Sequence, residues 1–190
     1  MKNIFMVLVC LVVSFSFAAQ ASREKDSHEH GAANVMLAME GEKLQLNFEV
    51  PSESLIGFEH FPKSQDQRWY FNEAIKSLLE PSKLFSIPAD AECLLVGINV
   101  SQSLFAAKDE HGHDEKDEHG HDESDKSEIH SEFSSKYHWN CEHLDEIDSI
   151  GTQLMNIFPR IEEIRVRWIT NNNQGSIELE SKDDRIKGWK

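Results

Sequence analysis

Two copies of one acidic, histidine-bearing unit stand in tandem: Asp109 to Lys116 reads DEHGHDEK and Asp117 to Ser124 reads DEHGHDES. Each unit sets two imidazoles on either side of a glycine. His111, His113, His119 and His121 therefore offer four nitrogen donors, the number that a tetrahedral zinc ion takes. Gly112 and Gly120 have no side chain, so the backbone can turn tightly enough to bring each pair to one ion. Carboxylates between Asp109 and Asp125 add oxygen donors and concentrate divalent cations by their field. A mobile site must be ordered by its metal, which lowers affinity and speeds exchange. Imidazole also accepts nickel and copper, so the donor type alone leaves the identity of the ion to supply.

A second group of histidines falls on sequence that reads as ordered. His28 and His30 precede the first strand, His60 sits in GFEHFP, and His130, His138 and His143 lie on or beside a strand running into Cys141. His130 and His138 share one face of that strand, but eight residues of strand separate them by about 26 Å, too far to share an ion. The expected ordered site draws on His28, His30, His60 and one of His130 or His138. Each of these, taken singly, is equally at home as an ordinary surface histidine.

Signatures of catalysis are missing. The chain has no H-E-x-x-H helix, no G-x-S-x-G elbow and no G-x-x-x-x-G-K-[ST] loop. Trp69, Tyr70 and Phe71 could be taken for a cofactor box, but at helical spacing they read better as core. The expectation is a metal-binding protein, not an enzyme.

The elements that must position these residues follow from composition. The chain has 190 residues and a formal net charge of -15, which repels nucleic acid and anionic membrane and suits a cation. Residues 1–21 read as a cleaved secretory signal: a lysine, the apolar run IFMVLVCLVVSFSF, then Ala19-Gln20-Ala21. The run is short for a bilayer that needs about 20 apolar residues, so no membrane insertion is expected after cleavage. Residues 22–190 then form one zinc-binding α+β domain, in which 108–126 is a histidine-, aspartate- and glutamate-rich loop without an aliphatic residue, disordered when metal-free. With the signal removed, Cys93 and Cys141 remain, and in an oxidising compartment they are expected to pair. The alternative is that both serve as zinc thiolates.

Period-two alternation predicts a hairpin over residues 33–50, with Gly41 at its turn, and Pro51 stops its second strand. Ser52 to Pro62 is a compact connection against the core. Phe71, Ile75, Leu78 and Leu79 predict a helix between Ser64 and Leu79. Residues 92–105 predict a strand buried on both faces at its start, and 129–141 a half-exposed one. Leu144, Ile147, Ile150, Leu154 and Ile157 predict a second helix, and Ile164 to Leu179 a C-terminal hairpin. The architecture expected is a single α+β domain: an antiparallel sheet, two packed helices and a long disordered His-rich hairpin loop. If Cys93 and Cys141 face each other on neighbouring antiparallel strands, the midpoint is Asp117, and the histidine-rich segment is the tip of a hairpin whose base the disulfide staples.

HEHGAANVMLAMEG, EVPSESLIGFEHFP, AECLLV, the acidic insert and HSEFSSKYHWNC together resemble the ZrgA family of zinc-regulated periplasmic uptake proteins. The resemblance implies a periplasmic protein that passes zinc to the substrate-binding protein of a zinc ABC importer, with the insert histidines and the N-terminal His28 and His30 as ligands. A passive metal buffer or sensor for zinc, nickel or copper, without a delivery partner, is the alternative.

Overall fold

The computed structural model describes residues 31–104 and 131–190. Residues 1–30 and the insert 105–130 lie outside them, and with them His28, His30, His111, His113, His119, His121 and His130.

The chain enters through the expected hairpin, β1 (Ala32–Glu40) and β2 (Lys43–Pro51), paired from Asn34 with Glu49 to Glu40 with Lys43. Gly41 turns it at a φ of 60°, which a residue without a Cβ adopts freely. Alternation then decides the faces: Val35, Leu37, Leu44, Leu46 and Phe48 are buried, while Glu40, Lys43 and Gln45 are exposed. Pro51 ends the ladder and begins the short helix α1 (Ser52–Ile56), which buries Leu55 and Ile56.

Helix α2 (Gln65–Leu78) starts where a capping box starts it: Ser64 Oγ accepts from the Gln67 amide at 3.1 Å, and Gln67 Oε1 accepts from the Ser64 amide at 3.3 Å. It buries Ala74 and Leu78, and Phe71 meets Phe133 with ring centroids 5.7 Å apart. Trp69 and Tyr70 do not join the core expected of them; they are 58% and 54% exposed. Both line a surface groove with Leu55, Ile157 and Phe158. After the turn α3 (Pro81–Leu84) the two-residue strand β3 (Phe85–Ser86) leads to β4 (Cys93–Gln102) and, beyond the insert, β5 (Glu132–Cys141).

Residues 144–157 do not make the expected helix. They form a 3-10 turn (Leu144–Glu146), the strand β6 (Ser149–Thr152) and the single turn α4 (Leu154–Ile157). Gly151 explains the difference: β6 runs so close to its neighbours that a Cβ there would overlap Ser86 Oγ, and glycine in mid-helix is unfavourable in any case. Buried Ile147, Ile150 and Leu154 stand three and four apart, the spacing of a helix, so spacing alone pointed the wrong way. Then come β7 (Glu163–Thr170), β8 (Gln174–Leu179) and β9 (Arg185–Lys187).

Six strands form one sheet in the order β4-β5-β2-β1-β7-β8, and β3-β6-β9 form a second. All pairs are antiparallel except β1 with β7, because the long connection after β5 brings the chain back in the direction of β1. α2 and the small sheet cover one face of the large one: Tyr137 Oη donates to Leu78 O at 2.8 Å, and the Phe85 and Tyr137 rings meet edge-on at 5.9 Å. The opposite face carries Gln45, Asn47, Lys136 and Arg167. This is the one-sided antiparallel-rich α+β arrangement that alternation predicts. No helix among the described residues is long and apolar enough to cross a membrane.

β4 departs from expectation. Rather than being buried on both faces, it is the edge of the large sheet, with Leu94 69% and Val96 54% exposed. Its pairing with β5 starts at Cys93 opposite Cys141, the expected register, and slips by one residue between Leu95 and Gly97. Before the slip Cys93 and Leu95 share the inner face with Cys141 and Trp139; after it Ile98 and Val100 do, opposite Tyr137 and Ser135. Val96 is the extra residue of a β-bulge.

Candidate metal centre

The β4–β5 hairpin has two ends, one at the disulfide and one at the insert. At one end Cys93 and Cys141 are joined by a disulfide, the pairing expected from the sequence, so neither is available as a zinc thiolate. The loop closed by the bond holds roughly 50 residues, a constraint worth about 4 kcal/mol in the chain-entropy model. At the other end β4 and β5 lead into and out of the insert. There the Ser103 amide donates to Glu132 O at 3.0 Å and the Glu132 amide to Ser103 Oγ at 2.9 Å. Nine strand steps from Glu132 to Cys141 separate the two ends by about 30 Å.

The insert end is also where the chain's first described residue is held. The Gly31 amide donates to Ser54 Oγ at 2.9 Å, the Ser52 amide to Ser131 O at 2.8 Å, and Ser131 Oγ to Glu59 O at 3.3 Å. Three stretches of chain far apart in sequence thus meet around the α1 turn: Gly31 next to His30, Ser131 next to His130, and Glu59 next to His60. His60 itself is exposed, its ring stacked on Phe58 at 5.3 Å. Its Nδ1 lies 2.9 Å from Phe61 O. A carbonyl only accepts, so Nδ1 carries the proton and Nε2 of the neutral ring keeps its lone pair, the arrangement of a metal-ligating histidine.

His138 stands apart from this gathering. It lies half-buried on the open face of the sheet, between Gln45 of β2 and Gly97 of β4, and seven strand steps put it about 24 Å from Ser131. Neither His60 nor His138 belongs to a group of three ligating side chains among the described residues. One such group exists, Glu92, Glu142 and His143, with ligand atoms all within 4.8 Å of one another, at the disulfide end. Sequence reasoning noted His143 but passed over the two glutamates. The signal was present: once Cys93 faces Cys141, the residues flanking them must face each other, Glu92 against Glu142 and Ala91 against His143.

The sequence profile of the ZrgA family zinc uptake proteins matches residues 27–188. The chain belongs to that family. Membership covers the hairpin that opens the fold, both cysteines and the insert between them, and it assigns the protein to zinc uptake and its handling to zinc. No curated protein matches the chain.

Proposed function

We propose that the protein captures zinc in the periplasm, after removal of residues 1–21 as a signal peptide, and hands it to the substrate-binding protein of a zinc ABC importer, without catalysing a reaction. His111, His113, His119 and His121 take up the ion with their flanking carboxylates and release it again on hand-over. His28, His30 and His130, with His60, form the second, tighter station on the ordered body.

The observation that carries this reading is the convergence of Gly31, Ser131 and the His60 loop at the insert end. It supports a shared station, since Gly31 follows His30, Ser131 follows His130, and Ser131 Oγ donates to the carbonyl of Glu59, the residue before His60. The same distances favour His130 over His138 for that station. A disulfide fits an oxidising compartment, and membership of a zinc uptake family fits the cargo.

The test is transfer. Zinc-loaded protein is mixed with the metal-free substrate-binding protein of the same importer, and the appearance of loaded acceptor is compared with zinc release to a chelator. Transfer faster than release supports hand-over through a complex. Equal rates leave a metal buffer without a delivery partner.

A further inference from the structure

We propose that Glu92, Glu142 and His143 form a separate zinc site at the disulfide end of the β4–β5 hairpin, with three protein ligands and one open position. The proposal deepens the zinc-handling function above and rests on it.

The site is built by continuation of the sheet past its cross-link. Beyond Cys93 and Cys141 the two chains still run antiparallel: the Glu142 amide points to Glu92 O at 3.5 Å, and the His143 amide donates to Ala91 O at 3.1 Å. Glu92 closes the 3-10 turn Ala89–Ala91 with a φ of 48°, the one positive φ outside glycine among the described residues. His143 opens the 3-10 turn Leu144–Glu146. The three side chains are thus carried on short turns anchored by a covalent bond, and little backbone freedom is left to lose on binding.

Their separations suit a small cation. Donor atoms around a tetrahedral zinc at about 2.0–2.1 Å lie about 3.3 Å from one another. The three atoms here lie within 4.8 Å, so rotation of two exposed glutamate side chains through about 1.5 Å closes the set. Electrostatics point the same way. Two carboxylates share this corner, and among the described residues no lysine or arginine is paired with either, in contrast to Glu73 with Lys76, Glu80 with Lys83 and Asp148 with Lys190. A divalent ion removes their repulsion, and the imidazole biases the choice from calcium or magnesium towards zinc. Three ligands leave the fourth position to water or to a group from an acceptor, the arrangement that lets an ion be passed on. At about 30 Å from the insert end, no ion can touch both stations.

The test is zinc titration by calorimetry on the oxidised mature chain, together with the ring nitrogen resonances of His143. Three forms are compared: wild type, a variant with His111, His113, His119 and His121 each changed to asparagine, and that variant carrying His143→Ala as well. Expected is that the insert variant still moves the His143 resonances at saturating zinc, and that adding His143→Ala lowers its stoichiometry by one equivalent. Glu92→Gln with Glu142→Gln should weaken that equivalent at least tenfold. Unmoved His143 resonances, or an unchanged stoichiometry after His143→Ala, overturn the proposal while leaving zinc handling by the insert intact. A wild-type chain that takes up no zinc overturns both readings together.

Discussion

The Tyr137 hydroxyl, at the centre of the sheet's buried face, donates to the carbonyl of Leu78, the last residue of helix α2, at 2.8 Å. One hydrogen bond therefore ties the helix to the strand that leaves the insert, across 59 residues of sequence. It satisfies both a buried phenol and one of the carbonyls that a helix C-terminus leaves without an internal partner. Tyr137→Phe keeps the ring packed against Phe85 and Trp139 and removes the hydroxyl that makes this bond. The expected loss is about 1 kcal/mol, read as a lower urea midpoint with an unchanged m-value.

The same tyrosine gives the fold an alkaline limit. Burial, opposed by the Ser135 hydroxyl, pushes its pKa up from 10.0 to about 12. Below pH 10 the phenol is neutral in folded and unfolded chains alike, and its contribution is complete. Between pH 10 and about 12 the unfolded chain ionises first, so stability falls as pH rises through that window. Urea midpoints of wild type and Tyr137→Phe should therefore converge between pH 9 and pH 12; midpoints that stay parallel contradict the raised pKa.

Replacing Gly151 tests why β6 is a strand. Gly151→Ala drives a methyl into Ser86 Oγ and towards the Arg185 guanidinium. A loss of at most about 1 kcal/mol is expected as the Ser86 hydroxyl and the Arg185 guanidinium are turned aside, checked by thermal unfolding. A neutral outcome shows that the small sheet has slack.

Removing residues 109–125 separates body from insert. The deletion should abolish the weak, exchangeable zinc and leave thermal unfolding of the oxidised protein unchanged, because the core runs through β1, β2, β5, β7 and α2 without it. Circular dichroism of the deleted form decides this, and an unfolded product shows that the assignment of the insert is wrong.

Acidification should release zinc, because imidazole takes up protons near pH 6.5 and a protonated ring cannot ligate. Dialysis at pH 5 against dialysis at pH 7.5, with metal content measured afterwards, tests this. Retention at pH 5 contradicts a site built on histidine.

Much of this was legible in the chain because alternation is a local signal. Val35 to Val50, Phe133 to Cys141 and Ile164 to Leu179 each reveal their buried face, and the two cysteines fixed the register of β4 on β5. What was lost depends on neighbours. Leu94 and Val96 read as buried because apolar residues there are indistinguishable from those of a central strand; only the sheet order leaves them at an edge. Ile147, Ile150 and Leu154 fit a helix until Gly151 is seen pressed against Ser86. For the metal centres, single histidines carried little information. The Glu92, Glu142 and His143 group depends on pairing across 50 residues, which a search for ligands close in sequence does not see.

The bulge at Val96 makes β4 a strand of variable length. Excising one residue from an ordinary strand turns every side chain beyond the cut to the wrong side. Here the surplus residue is already looped out, so shortening the chain by Val96 would leave Ile98 and Val100 facing inwards and Asn99 and Ser101 facing water. Losing a neighbour such as Asn99 could likewise be taken up by letting the spare residue slide into line. Single in-frame losses along β4 are thereby cushioned before they reach the hydrophobic interior.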